Sequence, residues 1–508
     1  MDIKEQLKES EVTKTSEELL GFGSVIDDVK LGKKNVKDIE PIVKTVEGYL
    51  KNHSLNTFNR LMSYYLLGQA YNTQKCLTLE ASQALFNHPL ALKEIFCYRM
   101  TLQIGDEIRR KGLWALYNTV LGCVYQAYVH LGSVYDHIGR HQDALHSYAK
   151  AGEMMPNDYM WQFNLGFSYG GMFGYYEKNV QPILVKKAKM LLEPYLNKPE
   201  STLSVIKMYD RLKVLKVPDR IEERKCEYAE GEEAKYNKWV NENYLRLNAY
   251  NEINPYSLFA QDDNLYFDSL FTLKGTANDS YRLMTMLNEI KQEYVSARYL
   301  LYSYFKESGK SHFSDKNVRI ADVYQYANYS YNVELAKAAF RALYSLMDKI
   351  AFALNDYLKL GLKGKDVDFK GFWYADMKTR EIRPEILKYS TVISLAGLLF
   401  IRNDVYGGNK EYLQAEETKH LQMVRNAMEH RAIQIVDDGR MEDKDALLII
   451  SRNDFEKVAM NLIKTVRQAI FCFVNTVKHI EYDKIIEARK HGLVMSQYVD
   501  EICDDEKV

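Results

Sequence analysis

The residues best suited to chemistry lie in the run Val424-Arg425-Asn426-Ala427-Met428-Glu429-His430-Arg431. A histidine has an ordinary pKa of about 6.5 and suits acid or base work, which makes His430 a candidate. Arg425 offers a guanidinium that stays charged and presents fixed donors, the group needed where negative charge develops on phosphate oxygens. Asn426 is placed to hold a phosphate or to fix the imidazole. On a helix, at about 100° per residue, Leu421, Val424 and Met428 fall within about 60° of one another and form a buried stripe. Asn426 and His430, four apart, share the face opposite that stripe, and Arg425 sits on the flank about 140° from His430. The same spacing also allows a plain surface ion pair between Arg425 and Glu429, worth a few tenths of a kcal/mol. Arg431 reads as a surface charge.

These residues need a scaffold, and the surrounding pattern supplies helices. Ala336, Phe340, Leu343, Met347, Ile350 and Leu354 recur at helical spacing and predict a helix over 334–357. A glycine- and charge-rich loop with Gly361, Gly364 and Gly371 follows. Then come an apolar helix around Leu395–Ile401, a helix from about Tyr412 to Ile435 carrying the motif, and a long helix over 454–480. Ser451-x-x-Asp454 is placed to cap the last of these. Four or five long helices over about 200 residues make a helical bundle.

The first half of the chain carries a repeat. Leu131-Gly132-x-x-Tyr135, with Gly139, Ala144, Tyr148, Ala151 and Pro156 behind it, recurs at Leu165-Gly166-x-x-Tyr169, 34 residues on. That order resembles a tetratricopeptide repeat. Gly132 and Ala144 let two helices approach, Tyr135 and Tyr148 fill the space between them, and Pro156 starts a turn. Leu67-Gly68-x-x-Tyr71 reads as a degenerate earlier copy, whereas Leu121-Gly122-x-x-Tyr125 adds nothing. One repeat cannot bury its own face, so stacked helical hairpins are expected over about residues 40–200. A charge-dense stretch, 216–246, reads as a solvated helix, and Asn254-Pro255-Tyr256 as a turn opening an irregular segment.

Bulk composition narrows the function. The 508 residues hold 68 Lys+Arg and 69 Asp+Glu, a formal charge of -1, so any phosphate-binding surface must be local. Nine prolines leave few helix breaks, and the 39 tyrosines read as half-buried helix positions with the ring inside and the hydroxyl outside. Six cysteines without C-x-x-C spacing, and no signal peptide after Met1, read as reduced thiols in a cytoplasmic protein. The longest apolar run, Val392–Ile401, is too short to span a bilayer, which takes about 20 residues. Gly23-Ser24 with Asp27-Asp28 lacks the carboxylate alternation of a nucleotidyltransferase. Gly361-x-x-Gly364-Lys365 is too short for a phosphate-binding P-loop. His130, His137, His141 and His146 read as surface histidines without a ligand pattern, so neither a metal nor another cofactor is expected.

The Arg425-x4-His430 segment, with the polar Asn426 directly after the arginine, resembles the R-x4–6-H motif of HEPN ribonucleases. The likeness covers about residues 290–482, including the motif's position on a late helix of a bundle. Together with the upstream hairpins it resembles a bacterial HEPN branch of phage-defence, abortive-infection and toxin systems. The resemblance implies an all-α chain and a metal-independent endoribonuclease that uses the 2′-hydroxyl of RNA as nucleophile. Arg425, Asn426 and His430 would carry that site. One histidine supplies either the base or the acid, so a homodimer through the C-terminal bundle is expected to pair two half-sites. The repeats would then bind a trigger or a protein partner. A tyrosine two residues after the histidine marks toxins regulated by nucleotidylation; here that position is Ala432, which argues against such control. A non-catalytic helical-repeat adaptor, or an RNA-binding protein with a dimerising bundle, is the alternative. The expected division is a repeat domain over 1–215, a charged connector over 216–285, the HEPN-like bundle over 286–482 and a terminal helix with acidic tail over 483–508.

Overall fold

The computed structural model describes residues 14–490 apart from 52–54, 79–85, 198–202, 217–222, 268–269, 271–276, 308, 310, 322–326, 408–415, 438 and 440, together with 502, 504 and 507. The acidic tail, Arg220 and Glu222 of the charged stretch, and the expected helix start at Tyr412 thus lie largely outside the described residues. The described residues are overwhelmingly helical, with two small sheets among them. Among the described residues no helix is long and apolar enough to cross a membrane. The described cysteines Cys76, Cys97, Cys123, Cys226 and Cys472 are free thiols.

Two compact units divide the chain: residues 1–222 with 399–419, and residues 223–398 with 420–508. The first holds α1 (Lys14–Lys30), α2 (Ile39–Leu50), α3 (Thr57–Thr78), α4 (Pro89–Arg110), α5 (Trp114–His137), α6 (His141–Met154), α7 (Tyr159–Met172), α8 (Gln181–Leu192) and α9 (Leu203–Lys213). From α3 to α8 each helix packs on the next. The glycines explain how closely. A Cβ on Gly132 would stand 2.5 Å from the Tyr148 ring, and one on Gly68 2.6 Å from the Tyr98 ring. The fragmentary motif at Leu67-Gly68 thus makes the same glycine-on-tyrosine contact as the well-formed one. Gly122, with nothing within 4 Å, makes none. Two buried tyrosine hydroxyls find carboxylate acceptors, Tyr71 on Glu47 at 2.6 Å and Tyr148 on Asp136 at 3.2 Å.

Residues 399–419 complete this unit. Phe400 joins the core of the first helices, and Asp404 accepts from Arg99 at 2.7 and 2.8 Å and from Arg140 at 2.5 Å. Tyr135 lies against both guanidinium groups. Of the four histidines read as surface groups, His137 and His146 are exposed, but His141 is buried beside Asp136 and His130 is stacked on Tyr98 at 5.4 Å. The surface expectation fails for those two because they face the inter-helix side of α5 and α6. Asp27 and Asp28 sit on a helix, not a strand.

The second unit contains α10 (Glu232–Glu242), α11 (Ala277–Lys306), α12 (Tyr331–Tyr357), the single turn α13 (Pro384–Leu387), the start of α14 (Ile393–Tyr406), most of α15 (Glu416–His430), and α16 (Arg452–Lys490). α11, α12 and α16 pack on one another and form its core. All six apolar residues expected on one face of α12 are buried. Ser330 caps that helix by accepting from Val333 N, and Ser451 caps α16 by accepting from Asp454 N at 3.1 Å. Among its described residues the charged stretch is helical over Glu232–Glu242; before that, Lys225 bridges Ser257 in an extended pairing. The turn at Asn254 is present, with Ser257 N donating to Asn254 O at 3.1 Å. Arg467 of α16 pins the irregular connector by donating to Arg246 O, Asn248 O and the Glu252 carboxylate.

The helix expected to run to Ile435 ends at His430. Beyond it Ala432–Val436 is strand β3, which pairs in parallel with β5 (Leu447–Ser451), itself antiparallel to β4 (Glu442–Lys444). Two causes combine: Ile433, Ile435 and Val436 are β-branched and stiff, and the tertiary partner Leu447–Ile450 offers them a matching apolar run. Earlier in the chain, β1 (Tyr374–Asp376) and β2 (Glu381–Ile382) form a separate small hairpin.

Candidate functional site

Helix α15 positions the motif by burying its opposite face. Leu421, Val424, Ala427 and Met428 are buried, which turns Asn426 and His430 outward, both exposed. His430 is the final residue of the helix, and among the described residues no hydrogen bond or ion pair engages its ring. The chain then changes direction into β3. Arg431 holds that bend: its guanidinium donates to the Asp443 carboxylate at 2.7 Å and to Lys444 O at 3.1 Å. It is an anchor for the strand end and neither a free surface charge nor an open phosphate ligand.

Arg425 is half-buried, and its guanidinium lies over the Tyr344 ring of α12, 5.4 Å from the centroid. One nitrogen donates to the Asn426 side chain at 3.2 Å, while Nε is buried without a partner. Arg425 and Asn426 are thus brought together. His430 is joined to neither: the helical projection sets it apart from Arg425, and although it shares the outward face of Asn426 no hydrogen bond links the two. The Arg425–Glu429 ion pair does not form; Glu429 instead faces Arg341, 3.9 Å away.

The supporting residues come from α12 and carry no signal in the motif itself. Arg341, Tyr344 and Asp348 fall three and four apart, so they stand on one face of α12 toward α15. Arg341 reaches Met428 O at 3.5 Å and leaves its side chain 45% exposed, a second cation beside the end of the motif helix. Burial pushes the Asp348 carboxyl above its usual range, against the pull of the Phe369 N–H bond and the Arg425 charge. Asp348 accepts from Phe369 N at 2.8 Å and so fixes the loop behind the arginine. A helical stripe one step round from the buried face of 334–357 was the available signal: polar Arg341, Tyr344 and Asp348 interrupt it.

The arrangement offers one exposed imidazole, one exposed amide and two guanidinium groups around the end of a single helix. It can hold an anion and exchange one proton.

No curated protein and no solved structure matches the chain. A protein-family model described as LA2681-like HEPN matches residues 275–480, which take in α11 and reach into α16, and so enclose the motif helix and the helix that supports it. Residues 275–480 of the chain thus form a HEPN-like domain.

Proposed function

We propose that the chain is a metal-independent RNA endonuclease, serving phage defence or a toxin system, whose cleft is completed by a second copy of the chain. The observation that carries this is the outward placement of Asn426 and His430 beside a guanidinium seated on Tyr344. In the reaction, a base removes the proton of the ribose 2′-hydroxyl and the oxygen attacks the adjacent phosphorus. The P–O5′ bond breaks, and an acid protonates the departing 5′-oxygen. The products are a 2′,3′-cyclic phosphate and a 5′-hydroxyl, with no net change in protons. Arg425 stabilises the charge on the non-bridging oxygens, and Arg341 is placed to hold a neighbouring phosphate. One His430 supplies one proton-transfer group; two copies related by a two-fold axis supply both. The N-terminal helices are then the part that senses a trigger or binds a partner.

Purified protein is expected to cut RNA in the presence of EDTA and leave cyclic phosphate ends. His430→Ala is expected to abolish the cut with an unchanged circular dichroism spectrum. Cleavage that persists in that variant rejects the assignment. RNA affinity without products in the unsubstituted protein supports the alternative, a binding module with a dimerising bundle.

A further inference from the structure

A second site lies in the N-terminal unit. Between α1, α3, α5 and α7 is a cavity of about 280 Å³, whose polar lining is Asp27, Lys30, Tyr65, Gln69, Gln126 and His130. It has room for about nine waters at about 30 Å³ each. Helical hairpins normally fill such a space with apolar side chains, yet here a polar relay crosses it. Lys30 donates to Gln69, Gln69 donates to the Tyr65 hydroxyl, and Tyr65 donates to Gln126.

The relay leaves specific groups unspent. Gln69 has both ends of its amide engaged, and the Gln126 oxygen takes the tyrosine proton, which leaves the Gln126 amide N–H groups available. His130 stacks on Tyr98, and among the described residues no hydrogen bond reaches its ring nitrogens. Burial, with the charges of Lys30 and Lys75, pushes its imidazole down to about 3. It therefore faces the cavity neutral, with one nitrogen donating and one accepting. Ile26 and Leu66 are buried apolar walls. At the mouth, Asp27 is exposed and stands 3.6 Å from Lys30, so the two charges largely cancel.

We propose that this cavity binds a neutral nucleoside. A flat heterocycle between the apolar walls meets the Gln126 amide and the His130 imidazole with its donor and acceptor edge, as amides commonly read bases. The ribose hydroxyls meet Asp27 and Lys30, which offer an acceptor and a donor but no net positive charge for a phosphate. This site stands whatever the C-terminal site does.

Full-length protein is titrated calorimetrically with adenosine, guanosine, cytidine and uridine, then with their 5′-monophosphates and with phenylalanine. At least one nucleoside is expected to bind one per chain, at least about tenfold tighter than its monophosphate. Gln126→Leu and His130→Phe are each expected to weaken it at least about tenfold. Gly23→Leu, which adds a side chain on the cavity wall where a Cβ meets only Leu66 at 3.4 Å, is expected to abolish binding and keep the helical spectrum. His430→Ala is expected to bind normally, so failure here and failure of the ribonuclease assignment are read separately. The proposal is overturned if none of the four nucleosides binds, if binding survives Gly23→Leu, or if the monophosphates or phenylalanine bind more tightly.

Discussion

At the level of single residues, the division of labour around α15 follows from what each side chain can lose. His430 is exposed and makes no described contact, so His430→Ala should leave stability within about 0.5 kcal/mol while removing cleavage. Tyr344 acts through Arg425. Replacing its ring by leucine removes a cation–π contact of about 0.5–2 kcal/mol, which predicts cleavage about 2- to 30-fold slower at unchanged helicity. Tyr344→Phe keeps the ring and should retain most of the rate. Single-turnover rates on one RNA separate these outcomes; equal loss in both variants rejects the role given to the ring. The candidate catalytic residues were legible in the sequence because types and spacing belong to one helix. Their supports were not, because Arg341, Tyr344 and Asp348 are about 80 residues away and only packing brings them to Arg425.

Among elements, glycine placement decides how closely the N-terminal helices approach. Gly132→Ala forces a Cβ into the Tyr148 ring and should cost about 1–3 kcal/mol. Gly122→Ala, in the same helix and facing open space, should instead stabilise by about 0.5–1 kcal/mol. Urea unfolding midpoints that move in the same direction for both variants contradict this packing. The Asp404 clamp makes a further prediction. The guanidinium groups of Arg99 and Arg140 hold its carboxyl well below the usual carboxylate range, outweighing burial. A depressed carboxylate contributes stability above its unfolded value of about 3.9 and loses it as pH falls through the folded value. Asp404→Asn should therefore cost about 3–5 kcal/mol at pH 7, and the gap from the unsubstituted protein should shrink below about pH 4. A gap that stays constant down to pH 2 removes the charge from the explanation.

For the whole molecule, the proposed cleft combines a half-site from each of two chains, so oligomeric state is what tests it. If the cleft combines two copies, Arg425→Ala and His430→Ala proteins, each inactive alone, should regain part of the cleavage when mixed and allowed to exchange subunits. No recovery, with exchange demonstrated by differently tagged chains, argues for a site complete within one chain. Sedimentation at micromolar concentration is expected to show a dimer.

Periodic patterns were enough to read the helices, because a buried stripe at 3.6-residue spacing, a serine cap and a glycine facing a tyrosine are properties of neighbouring residues. The sequence also decided which motif residues could share a face: Asn426 and His430 do, and Arg425 does not. Where α15 stops was settled by tertiary structure, since Ile433–Val436 continue a helical apolar pattern until β5 and the Asp443 anchor of Arg431 make strand pairing the better burial. The same holds for Asp404, the buried partner of two arginines about 300 and 260 residues earlier, which only the fold brings to it. The motif that opened the sequence is therefore a local property of one helix. What seats its arginine on a tyrosine ring and leaves its histidine facing outward is the packing of distant helices around it.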